Sequence, residues 1–360
     1  MLSDGLKLTA YVGERDRVGG RFLSDALMDV YERRGIRCSV LVRGVEGFGI
    51  KHRLQTERLL TLSEDLPMIA LAVDASDRVD AAIADVRELT RHGVITLERV
   101  LLLNGRGDPE MPPDVDELKL TIYLGRGERV GARPAHLAAV ELLHRHGVAG
   151  ASVLLGVDGT SHGVRRRGRL LAGNAQVPLM IISVGDRASI ARALEALRAI
   201  LSNPVITLER VSVCKRDGVL LAEPSVPPST DGDGLAYWQK LTVFTGGRAE
   251  HEGQPLYGEL VRRLRRAGAA GATAMRGQWG YHGDHLPHGE SFWSLRRHVP
   301  VLTVMLDTPA NTRRWFAIVD ELTAETGLVT SELVPALRAG GPDAEHGGLR
   351  LAAPRGPAPR

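Results

Sequence analysis

A chain of 360 residues with 43% apolar and 25% charged side chains has an ordinary globular balance and room for two or three cores. Only 4% of it is aromatic, which suits close sheet–helix packing by small side chains better than a large aromatic pocket. The net charge of +3 reflects a mild arginine excess with no long basic block, so no nucleic-acid partner is expected. Cys38 and Cys214 stand far apart and outside any CxxC spacing, which predicts reduced core thiols. With no signal-peptide pattern and no apolar run near the ~18 residues of a membrane span, the expected location is cytoplasmic.

In chain order, Leu6, Leu8, Ala10 and Val12 alternate with Lys7, Thr9 and Tyr11, the pattern of a half-buried strand. Phe22, Leu23, Ala26, Leu27, Val30 and Tyr31 follow at helical spacing, and Gly35 stands where a helix C′ residue belongs. Cys38–Gly44 reads as a second strand, followed by a glycine-punctuated loop from Val45 to about Leu62. Pro67 opens a third strand, Met68–Val73, at a position that tolerates a missing N–H. Val79, Ile83, Val86 and Leu89 mark a second helix, and Val94–Leu103 a last strand.

The same order then recurs twice. The tripeptide KLT begins at Lys7, Lys119 and Lys240, and the same offsets relate Gly35, Gly147 and Gly268, then Gly44, Gly156 and Gly277, then Gly47, Gly159 and Gly280. Pro67, Pro178 and Pro300 match within one residue. ITLERV occurs verbatim at Ile95–Val100 and Ile206–Val211, with a diverged copy at Val329–Val334. The chain therefore divides into modules at 1–104, 118–214 and 238–337, with residues 338–360 expected to be a disordered tail. The third strand is apolar on both faces (Met68, Ala70 and Ala72 against Ile69, Leu71 and Val73), yet two helices cover only one face. The reading is an α+β chain whose three sheets face inward around a pseudo-threefold axis, an intramolecular pseudo-trimer. The segments 104–117 and 215–238, rich in proline, glycine and acid, are the connectors.

The second strand, the loop GVEGFGIKH at Gly44–His52 and the proline-opened third strand resemble the T-loop region of PII signal-transduction proteins. Each module end to end more closely resembles a PII-like domain-of-unknown-function family. The resemblance implies a ferredoxin-like fold, trimeric assembly and a partner of the fluoride-exporter type in the membrane. It also implies an adenine nucleotide or other small anion bound in clefts between subunits. Carried onto this chain, the ligand residues would be Gly44, Gly47, Phe48 and Gly49 with Lys51 and Arg53. Closely spaced glycines let backbone N–H groups approach an anion while Lys or Arg supply charge. Arg99 and Arg210, at matching places near the ends of last strands, would add cations, whereas the third copy offers Leu333. The expectation is at most two anion sites, the tightest built on the module-one loop.

Two further clusters carry alternative readings. Arg165, Arg166, Arg167 and Arg169 in the module-two loop read as a solvated loop or, less simply, a phosphate site. His282, His285 and His288, spaced H-x-x-H-x-x-H, offer three imidazoles to a divalent metal, as in the similarly folded CutA-type proteins. No nucleophile–base constellation, P-loop or dinucleotide fingerprint is seen, and Glu98/Arg99 and Glu209/Arg210 read as cross-strand ion pairs. The expected protein is thus a non-enzymatic regulator without a resident cofactor. A CutA-like metal binder or a structural adaptor are the alternatives.

Overall fold

The computed structural model describes residues 2–49, 55–56, 65–103, 111, 115–168, 177–282, 288–289, 299–341 and 345–354. Module one runs Leu2–Gly13, helix Leu23–Arg33, Cys38–Arg43, Pro67–Ala75, helix Ser76–Leu89 and Gly93–Leu103. Module two repeats this as Glu117–Gly125, helix Ala135–Arg145, Gly150–Leu155, Pro178–Asp186, helix Arg187–Ile200 and Val205–Arg210. Module three does so as Trp238–Gly246, helix Leu256–Ala267, Ala272–Arg276, Pro300–Asp307, helix Pro309–Leu322 and Leu328–Val334. In each the four main strands pair antiparallel in the order second, third, first, fourth. Gly35, Gly147 and Gly268 have φ of 64°, 73° and 90°, the left-handed backbone that ends each first helix. A small ribbon that no spacing in the sequence signals precedes each first helix, such as Arg17–Val18 against Arg21–Phe22.

The alternation of each strand sorts side chains into two cores. In module one Leu6, Leu8, Leu97 and Ile95 pack against Leu27, Tyr31, Val79 and Val86 of the helices. The opposite faces of all three sheets meet in one shared cluster, with Val40, Leu71 and Val100 beside Tyr123, Met180 and Val205 and beside Phe244, Met275 and Val304. The second apolar face of the third strand is covered by the neighbouring modules.

Two cyclic sets of strand additions tie the modules together. In the first, a short loop strand after each second strand joins the second strand of another module. Glu46–Phe48 pairs with Ala272–Ala274, Asp158–Ser161 with Cys38–Leu41, and Trp279–His282 with Gly150–Val153. In the second, the end of the last strand or the chain just beyond it joins the last strand of the next module. Leu101–Leu102 pairs with Thr207–Leu208, Ser212–Arg216 with Leu328–Ser331, and Ala336–Gly340 with Gly93–Leu97. Sheet edges that would otherwise offer free N–H and C=O groups are closed this way.

This corrects two expectations about the connectors. The start of 215–238 is a strand of module three's sheet. The tail expected to be disordered from Arg338 includes a hairpin, formed by Ala336–Gly340 and Glu345–Gly348. Arg338 donates to the Thr90 carbonyl oxygen at 2.7 Å and pairs with Glu345. Composition reports weak side-chain packing there, whereas the order comes from backbone pairing. No helix among the described residues is long and apolar enough to cross a membrane.

Candidate functional site

The loop residues predicted to bind a ligand are spent largely on the joints between modules. Gly44 N–H donates to Pro67 O at 2.7 Å, Gly156 to Pro178 O at 2.9 Å and Gly277 to Pro300 O at 2.7 Å, so the repeated glycine–proline pair is a latch. The next residue in each copy reaches across modules, with Val45 N–H on Ala274 O, Val157 on Leu41 O and Gln278 on Val153 O. A Cβ at Gly47 would stand 2.8 Å from Ala272 O, and the equivalent glycines, Gly159 and Gly280, approach Ser39 O and Ala151 O still more closely. Phe48 is buried in the module-three core with Leu256, Leu260 and Leu264. Its counterpart Tyr281 is buried against module two and donates to Val148 O at 2.9 Å. Gly44, Gly47 and Phe48 therefore have structural work at the joints, which accounts for the repetition of the two glycines. Gly49 is exposed, and Lys51 and Arg53 lie outside the described residues.

Arg99 and Arg210 do not join that loop. Alternation puts Arg99 on the helix-covered face, where it is exposed and donates to Ala352 O at 2.8 Å, and Arg210 is likewise exposed. The module-two arginines are largely engaged: Arg165 pairs with Asp29 and, at 2.6 Å, with Asp158, and Arg167 with Asp25 at 2.9 Å. They bind the loop to the first helix of module one. Arg169 and His285 fall outside the described residues, and His288 is described only as a strand residue facing Gly280.

The glutamates of ITLERV pair with the lysines of KLT rather than with their neighbouring arginines. Lys7, Lys119 and Lys240 each face the glutamate opposite them in their own sheet, at 3.2, 3.2 and 3.3 Å for Glu98, Glu209 and Glu332. Each lysine also binds, more tightly, a glutamate of another module: Lys7 to Glu209, Lys119 to Glu332 and Lys240 to Glu98. The result is a closed, buried ring of six alternating charges. Burial opposes ionisation of Glu98 and Glu209, but the surrounding lysines outweigh it and hold both carboxyls below the usual range. Burial likewise opposes the charge on Lys7 and Lys240, and the facing glutamates overcome it and raise both ammoniums. At Lys119 burial outweighs its two carboxylates and lowers the pKa. The three carboxylates approach within 4.8 Å of one another, close enough to hold a cation, but each is already neutralised by lysine.

A cleft of about 620 Å³ opens between modules two and three. Its apolar wall includes Ile182 and Val184 from module two and Phe244 and Leu328 from module three. Phe244 stands where the other modules carry Tyr11 and Tyr123. Its polar groups include Arg248, Glu325, Asp217 and His282. His282 Nε2 lies 2.5 Å from Asp217 Oδ1. Asp217 and Gly218 have φ of 48° and 80°, a tight hairpin turn fixed by Asp217 N–H on Gly327 O at 2.8 Å. Gly280–His282, on the cleft wall, is the module-three counterpart of Gly47–Gly49. The loop base thus does line a cleft, through a different copy from the one the sequence favoured. Nothing in sequence spacing links Asp217 to His282, because a connector residue meets a loop residue only after module three docks.

Compared with known families, the chain matches the model of DUF190, a PII-like family described as an uncharacterized ACR, over residues 5–102, 117–213 and 238–336.

Proposed function

The chain belongs to the PII-like DUF190 family three times over, and from that premise we propose that it is a non-enzymatic regulator, a ferredoxin-like pseudo-trimer in one polypeptide. It takes up a small anionic or nucleotide ligand between modules and docks on partners from the cytoplasm. The observation that carries the reading is the cleft between modules two and three. Its volume of about 620 Å³ suits a small organic ligand, and its apolar wall with a few polar groups is the usual make-up of such sites. Arg248 supplies a cation for an anionic group, and the turn Gly246–Gly247 lets a ligand approach the backbone. A membrane transporter of the fluoride-exporter type is the partner proposed from the family resemblance.

Thermal-shift measurements with ATP, ADP, cyclic AMP and bicarbonate test this. A compound that binds the native chain at a hundred times its Kd adds about 2.7 kcal/mol and raises Tm. The expected outcome is a shift with at least one of the four that Arg248→Ala reduces and Gly49→Ala does not. No shift with any of them, or a shift indifferent to Arg248, removes the reading.

A second reading rests on the imidazole–carboxylate pair of His282 and Asp217, a mixed N/O donor set at the cleft. Zinc or copper would bind there through the imidazole nitrogen and the carboxylate oxygen. His282→Ala and Asp217→Asn should each weaken zinc binding at least tenfold in calorimetry. Unchanged affinity in both variants rejects it.

A further inference from the structure

Exposed apolar side chains are concentrated in one place. Of seven large hydrophobic residues exposed among the described residues, four lie within Val219–Val226: Val219 (60%), Leu220 (48%), Leu221 (54%) and Val226 (48%). The first three form the outer arm of the hairpin that follows module two, and its two-residue strand Val219–Leu220 ends the eight-stranded sheet. Leu221 N–H donates to Cys214 O at 2.8 Å, and Leu220 faces Lys215 one step along. Alternation of an antiparallel ladder then turns the Leu220 N–H and C=O away from the sheet. The hairpin is held in place, with Lys215 on Asp320 O at 2.7 Å and its turn locked to Gly327. A rigid edge with aliphatic side chains and outward backbone groups is a template for strand addition.

The comparable hairpin after module three lacks these properties. Its outer arm is Glu345-His346-Gly347-Gly348, and Glu345 pairs with Arg338. Among the described residues the apolar edge is therefore particular to the second connector and is not shared by the hairpin after module three. Strand addition is also the mode by which every module of this chain binds another. Four side chains fall short of the roughly 800 Å² per partner that a stable two-fold dimer buries, whereas a short linear segment needs no more.

We propose that Val219–Leu221 is a docking edge for an extended, aliphatic segment of a partner protein, which adds to the sheet beside Leu220. The proposal does not depend on a ligand in the cleft. Random dodecapeptides displayed on phage are panned on the immobilised full-length chain without added ligand. Enriched peptides are expected to carry aliphatic residues at alternate positions. Two variants are then compared with wild type, each checked to melt with it. Leu220→Asp replaces the side chain, and Leu220→Pro removes the outward N–H without touching the inner ladder. Each should weaken the peptides at least tenfold. No enrichment, or peptides that bind both variants as well as wild type, overturns the proposal. Concentration-dependent dimers in light scattering that Leu220→Asp abolishes would make a second copy the occupant and overturn it too.

Discussion

Replacing Glu209 by glutamine is expected to destabilise the chain by about 3–5 kcal/mol, the range for removing one partner of a buried ion pair. The substitution keeps the size of the side chain and deletes its charge. Glu209 faces Lys119 within module two and Lys7 of module one, so two buried ammoniums each lose one of their two carboxylates at once. One of those contacts lies within a sheet and the other crosses between modules. Urea unfolding of the variant should therefore show a lower midpoint, and the Lys7→Met/Glu209→Gln double variant less than the sum of the single losses, because the pair couples. A loss below about 1 kcal/mol, in the range of exposed pairs, would mean that the ring contributes no more than a surface contact.

The same ring sets a pH window. Glu98 and Glu209 have folded pKa values held below their unfolded ones, so their stabilisation is present above about pH 4.3 and is lost as pH falls through the folded values. Lys7 and Lys240 are raised, so theirs is full below about pH 10.4 and is lost as pH rises through the folded values. The contribution of these four groups should be flat between these limits, and the acid-side fall in melting temperature should be shallower in Glu209→Gln.

How much of this the sequence carries depends on the range of the contacts. The elements of each module were legible because alternation and helical spacing are local, and the two-faced apolar third strand called for a second cover. The lysine of KLT was misread as the polar side of a half-buried strand, since alternation does not say what lies beyond a sheet. A signal was present all the same: the third copy keeps Glu332 where Glu98 and Glu209 stand but replaces the following arginine by Leu333. The retained residue points into the ring, and the variable one lies on the other face. The loop strands were not legible, because each one's pairing partner lies in another module. Their glycines were read as anion-binding because close backbone approach serves a ligand and a neighbouring strand equally well.

Gly280→Ala separates those two uses of glycine, with an expected loss of about 3 kcal/mol, the upper part of the range for overpacking. The added methyl would lie well inside van der Waals contact of the Ala151 carbonyl oxygen and 3.0 Å from Pro300 Cγ. Neither neighbour is the free end of a flexible side chain. The strand cannot retreat easily either, because Gly277 is bonded to Pro300 O, Gln278 to Val153 O, and Tyr281 to Val148 O. Relief would have to come from moving module three off module two, which opens the cleft wall between them. Gly159→Ala meets the Ser39 carbonyl in the same way and should cost as much at the joint between modules two and one. Gly49→Ala, with nothing within 4 Å of the new methyl, should stay within about 0.5 kcal/mol. A ligand-binding glycine would give the opposite pattern, with stability kept and affinity lost. Urea unfolding of the three variants reads the difference. Near-wild-type stability in both Gly159→Ala and Gly280→Ala would show that the loop strands are not what holds the modules together.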